Sequence, residues 1–144
     1  MYLFNRNITV NVRTEDEKTL TVEGVFLDSH HELCITLEVD LESYKITSAD
    51  GELRRVPHLD CKQTQNLISN LVGIDLNRNV RKQILLAVGL NKGCTHLTDL
   101  TLECVKGLIQ ARFHLMRLRM PALEIKGIVR QYLAGSCLHF KKKI

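Results

Sequence analysis

Up to Pro57 the apolar residues of this chain recur at every second position, and beyond it at every third or fourth, a change of period that dictates a sheet followed by helices. In the first part, Leu3, Ile8, Val10 and Val12 set against Asn7, Thr9, Asn11 and Arg13 predict a half-buried strand over residues 2 to 13. A polar turn from Thr14 to Lys18 follows. Leu20, Val22, Val25 and Leu27 then outline a second strand, with Gly24 where the alternation changes phase, so a bulge is expected there. In the third strand Leu33, Ile35, Leu37 and Val39 share one face, and Cys34, Thr36 and Glu38 the other. A fourth strand around Tyr44 to Thr47 reaches Asp50-Gly51, a dipeptide suited to a turn. The pattern is an antiparallel meander, one face of which needs cover.

Cover comes from the second part. Cys61, Thr64, Ile68 and Leu71 fall on one helical face, and Gly73 is placed to end that helix in a left-handed conformation. A second helix is predicted from about Asn77 to Val88 on the stripe Val80, Ile84, Val88, with Gly89 as its stop. The longest pattern, Leu97, Leu100, Cys104, Leu108, Leu115 and Leu118, has to end before Pro121. Pro121 suits the first turn of a last helix bearing Leu123, Ile125, Ile128, Val129, Tyr132 and Leu133. The expected fold is a single α+β domain over 1–144: sheet in 1–56, helices in 61–136, and a basic tail in 137–144.

A chain of 144 residues is long enough to bury a core without disulfide staples. Its five cysteines, Cys34, Cys61, Cys94, Cys104 and Cys137, are odd in number and widely scattered, which speaks against a disulfide framework. No segment has the ~20 consecutive apolar residues that cross a bilayer, and the first residues lack a basic stretch followed by a long apolar one, so a cytoplasmic protein without membrane contact is expected. Aromatic residues are scarce and Trp is missing, so broad base-stacking surfaces, and with them nucleic acid as a partner, are not expected. Nucleotide-binding glycine loops and the HExxH and GxSxG motifs are missing too. Homo-oligomerisation is compatible with all of this.

Chemistry is concentrated in a few side chains. Cys61 and Cys94 stand at predicted helix starts, where unpaired amides and the positive end of the helix dipole favour the thiolate, the form that binds metal or attacks an electrophile. Cys34 and Cys104 read as small apolar filler, and Cys137 lies near a frayed end. His96 follows Cys94 by two residues, and both can face one ion only if Cys94 precedes the first regular turn, as Gly93 would permit. Asp28, His30 and His31 occupy the turn between the second and third strands, where successive side chains point to opposite faces, so at most one of the two histidines is expected to face a site. Thiolate and imidazole donors suit zinc or iron, with tetrahedral zinc the default. The residues expected to hold a metal are Cys61, Cys94, His96, His31 and Asp28.

The order Cys61, then Leu67 to Gly73 (LISNLVG), then Gly93-Cys94-Thr95-His96-Leu97 resembles an uncharacterised bacterial domain family over roughly the first 115 residues. The likeness implies a short sheet followed by helices and carries no activity with it. More distantly, the chain is similar to iron–sulfur cluster scaffolds of the IscU/NifU type, which implies a SufE/NifU-like arrangement. In that likeness Cys61 corresponds to the second cluster cysteine, Cys94 to the third, and the turn Asp28 to His31 to the place of the first. The chain departs from the scaffolds in having no cysteine in that turn, Asp60 where glycine is usual, and Gly93 where histidine is common. Two thiolates with imidazole give less sulfur than a cluster requires.

The resulting expectation is a small metal- or sulfur-handling domain with a Cys/His site and no identified reaction. A second expectation is a non-catalytic interaction module in which the helix carrying Arg112, Arg117 and Arg119, together with Lys141, Lys142 and Lys143, meets an acidic partner. A third is an apolar pocket for a small organic ligand lined by the cysteines.

Overall fold

In the computed structural model, which describes residues 1–142, four strands precede the helices. They are β1 (Arg6–Arg13), β2 (Thr19–Asp28), β3 (Glu32–Asp40) and β4 (Lys45–Arg55), paired antiparallel in the order β1-β2-β3-β4. A 3-10 segment, Asp60–Leu71, is followed by helices α1 (Val80–Val88), α2 (Thr95–Arg119) and α3 (Ala122–Tyr132), with a short 3-10 turn, Leu90–Lys92, before α2. The expected α+β order, an antiparallel meander followed by helices, is therefore what the chain forms. The chain divides into two compact units, one from Met1 to Leu108 and one from Ile109 onward.

The first unit buries one face of the sheet. Leu33, Ile35, Leu37 and Val39 of β3 are all buried, as their alternation requires, together with Leu20, Val22 and Phe26 of β2. Ile68 and Leu71, Ile84 and Val88, and Leu97, Leu100, Cys104 and Leu108 supply the helical side of this core. Each fully buried aliphatic side chain contributes about 1.5–3 kcal/mol, so apolar burial is the main source of stability here.

Four details differ from expectation. β1 begins only at Arg6, and Leu3 is exposed. No bulge interrupts β2: Gly24 pairs with Val10 on one side and Ile35 on the other, and it lies on the buried face between Val22 and Phe26. Val25 and Leu27 instead point outward, 40% and 43% exposed. The irregularities lie between β3 and β4, at Glu32/Leu33 and Glu38/Val39. Asp50-Gly51 is not a turn, since β4 runs through it with Gly51 opposite Ile35.

Gly24 is required by close approach rather than by a turn. A Cβ there would collide with Cys104 Sγ and stand 3.0 Å from Leu100 Cδ1, so the missing side chain is what admits α2 to the sheet. The alternation of β2 thus never breaks. It continues inward through Phe26 to Asp28, which fixes the carboxylate on the covered side.

The segment after Pro57 is helical as expected but wound as a 3-10 helix. The hydroxyls of Thr64 and Ser69 donate to the carbonyls of Cys61 and Asn66, three residues back, and such local bonds compete with regular α geometry. Gly73, at φ 88°, takes the left-handed conformation assigned to it.

The second unit has its own small core, in which Phe113 of α2 meets Ile125 and Val129 of α3, with Ile109, Met116 and Ile128 packed around them. Phe113 and Tyr132 contact edge to face at 5.4 Å between centroids. Leu123, expected in the apolar stripe of α3, is exposed.

Candidate functional site

The site begins with the hairpin that joins β2 to β3. Asp28 closes it by accepting on a single oxygen, Oδ1, from the backbone N–H of His30 at 2.8 Å and of His31 at 2.7 Å. This is the arrangement by which aspartate organises a tight turn. The Asp28 amide in turn donates to the His31 carbonyl at 2.9 Å. Arg55, from the end of β4, clasps the turn from outside by donating to the carbonyls of Ser29 and Asp28, both at 2.9 Å. Turn geometry then separates the two histidines, leaving His30 exposed and turning His31 inward with its side chain 12% exposed.

His31 Nδ1 lies 2.9 Å from the same Asp28 Oδ1. The second oxygen, Oδ2, faces Arg6 at 3.5 Å. Burial alone would raise the Asp28 carboxyl, but the amide of His30 and the ring and amide of His31 outweigh it and hold the group well below the usual carboxylate range. Asp28 is therefore an anion whose Oδ1 is fully used by the turn and by one imidazole.

His96, in the first turn of α2, lies over His31 with ring centroids 3.8 Å apart and planes tilted by 34°. Phe26 forms the floor, edge-on to His96 at 5.1 Å and to His31 at 6.4 Å, and Arg6 covers the Phe26 ring at 4.9 Å. Burial, and after it the nearby His31 and Arg6, lower the His96 pKa against the opposing pull of Asp28 and Asp99. The donor atoms of Asp28, His31 and His96 all lie within 4.8 Å of one another. Among the described residues these three form a group with the spacing of a metal site, and neither cysteine belongs to it.

The histidine pair opens into a cleft of about 550 Å³ whose walls include Cys61, Thr64, His58 and Asp60 on one segment and Lys92, Gly93 and Cys94 on another. Cys94 immediately precedes α2, as the expected sharing of a site with His96 requires. Its amide donates to the Val88 carbonyl at 2.8 Å, and its own carbonyl accepts from Thr98 N–H at 3.0 Å and from the Thr98 hydroxyl at 3.0 Å. A side chain at Gly93 would run into the Val88 carbonyl, so only glycine permits this route. Cys61 lies at the start of the 3-10 segment with its amide already donating to His58, so it lacks the free amides of an α-helix terminus.

The other cysteines divide differently. Cys104 is buried in the core, as expected, and burial pushes its thiol up to about 12. Cys34 is not core filler: it lies on the outer face of β3, half-buried, with its thiol 3.7 Å from the Glu52 carbonyl. Cys137 is exposed.

Of the residues expected to hold a metal, Asp28, His31 and His96 lie together, and His31, His96, Cys61 and Cys94 line one cleft, whereas Arg6, Phe26 and Arg55 were missed by sequence reasoning. Phe26 was hidden by the misplaced change of phase in β2. Arg6 and Arg55 carry no local signal, because their partners lie 22 and 26–27 residues away.

The chain belongs to a family of proteins of unknown function, DUF2889, whose model matches residues 4–110. No curated protein and no solved structure matches it. No helix among the described residues is long and apolar enough to cross a membrane.

Proposed function

Since family membership carries no activity, we propose from the side chains themselves that this domain binds a transition-metal ion, zinc or ferrous iron, through His31 and His96. The observation that carries the reading is the approach of His31 and His96 donor atoms to each other and to Asp28 within 4.8 Å, with both histidines lining a cleft of about 550 Å³. Zinc–nitrogen bonds of about 2.1 Å are within reach of such rings after side-chain rotation.

Asp28 serves this site from behind. By accepting from His31 Nδ1–H it selects the tautomer whose Nε2 lone pair is free for an ion, and it raises the basicity of that nitrogen. The burial that lowers the His96 pKa acts in the same direction, because only neutral imidazole binds a metal. Cys61 and Cys94, on the cleft walls, are the donors from which the remaining coordination positions are filled. A cluster-assembly role of the IscU/NifU kind has weaker support, because the turn offers imidazole and carboxylate where a third thiolate is needed.

Metal analysis of untagged protein, after incubation with zinc or ferrous iron and dialysis, tests the reading. Near-stoichiometric metal that is lost in a His31→Ala/His96→Ala variant is the expected result. A content below about one tenth of an equivalent, or one unchanged in that variant, overturns it. Cobalt substitution then reports on the cysteines, since a thiolate ligand adds a near-ultraviolet charge-transfer band that Cys61→Ser or Cys94→Ser should abolish.

A further inference from the structure

The family model ends at residue 110, so almost all of the second unit lies beyond it. That unit has a composition of its own: residues 109–144 hold eight Lys and Arg against one acidic residue, Glu124, whereas residues 1–108 hold twelve against fifteen. The positive charge of the whole chain therefore comes from its last quarter. Within the second unit is a cavity of about 270 Å³ with an apolar base, formed by Ile125, Val129 and Phe140, and a cationic rim, formed by Arg117, Lys126 and Arg130. Helical spacing explains the arrangement, because Lys126 and Arg130 are one turn apart on α3 and Ile125 and Val129 form the adjacent row.

None of the ion pairs among the described residues involves Arg117, Lys126 or Arg130, and Glu124 is not among the residues lining the cavity. Three like charges around one opening repel one another and are relieved by an anion. An inorganic anion alone would leave the base wet, and a neutral apolar molecule would leave the rim uncompensated.

We propose that this cavity binds a small amphiphilic anion, an acyl chain of modest length ending in one carboxylate, with the chain on Ile125, Val129 and Phe140 and the carboxylate among Arg117, Lys126 and Arg130. The volume of about 270 Å³ has room for a single short chain. This assignment narrows the acidic-partner expectation to a soluble ligand, and it does not depend on the metal reading.

Calorimetric titration of the full chain with octanoate below its micellar range tests the assignment, with octanol, inorganic phosphate and phosphatidylserine–phosphatidylcholine vesicles as separate arms. Saturable octanoate binding is expected, weakened roughly tenfold or more in Lys126→Glu/Arg130→Glu and unchanged in the control Arg81→Glu/Lys82→Glu. Those positions are exposed helix-surface sites, so all of these variants should fold. The proposal is overturned if octanol or phosphate binds as tightly as octanoate, if both double variants lose binding equally, or if the protein associates with vesicles while ignoring octanoate.

Discussion

Asp28 Oδ1 and His31 Nδ1 are 2.9 Å apart, and that one oxygen also receives the backbone amides of both His30 and His31. The hairpin and the imidazole therefore share a single anchor, and a change at Asp28 must disturb both. Asp28→Ala leaves the amides of His30 and His31 and a ring nitrogen without their acceptor and Arg6 without its counter-charge, so a loss of about 1–3 kcal/mol is expected in denaturant unfolding. Asp28→Asn keeps an acceptor for the turn and removes the charge. It should cost less stability while weakening metal binding about 10–100-fold, measured by competition with a chromophoric chelator.

Acid should destabilise this fold in two stages. The His96 pKa is lowered in the folded state, so as pH falls through the ordinary histidine range near 6.5 the unfolded chain takes up its proton first. Stability is then lost between that value and the lower folded one, and it is retained at pH above both. Asp28, also lowered, gives a second loss that starts only when pH falls below about 3.8. Urea midpoints measured from pH 7.5 to 5 should drop for the wild type and change less for His96→Gln. Equal pH dependence in the two proteins would show that His96 does not set the first stage.

Much of the architecture was legible because it rests on period. Leu33 to Val39 and Leu97 to Leu108 read directly as buried faces, and Gly73, Gly89 and Pro121 marked helix limits where they occur. The site was legible only in outline. Its cysteines and histidines stood out as residue types, but their meeting depends on long-range contacts, such as Arg55 with the turn at Ser29, that local spacing does not encode. The error in β2 has a specific cause: Gly24 lacks a side chain, so the apolar alternation has a gap after Val22 that makes Val25 read as its continuation. A residue without Cβ carries no hydrophobic signal even when it is buried.

That same residue gives a test of packing. Gly24→Ala should be destabilising by roughly 1–3 kcal/mol, because the new methyl meets Cys104 Sγ and Leu100 in a close-packed interior. Cys104→Ala removes the sulfur that obstructs it. The double variant should therefore be more stable than the sum of the two single changes predicts, with an interaction energy of about 1 kcal/mol or more in a double-mutant cycle. Additive losses would place the strain elsewhere along α2.

Thiol reactivity should separate the cysteines in the order that their surroundings dictate. Cys137 is exposed, and the backbone amides of Phe140 and His139 stabilise its thiolate, so it should be alkylated first. Cys104, enclosed in the core with its thiol pushed up to about 12, should react only on unfolding. Cys61 and Cys94 are half-buried at the cleft and should fall between them in metal-free protein. Zinc divides the outcomes. Peptide mass mapping after brief iodoacetamide treatment should show Cys61 and Cys94 protected by added zinc, and Cys137 unaffected, if their thiolates complete the coordination of His31 and His96. Identical labelling of both cleft cysteines with and without zinc, in protein shown to hold the metal, would leave the histidines as the ligands and assign the cysteines to the cleft wall alone.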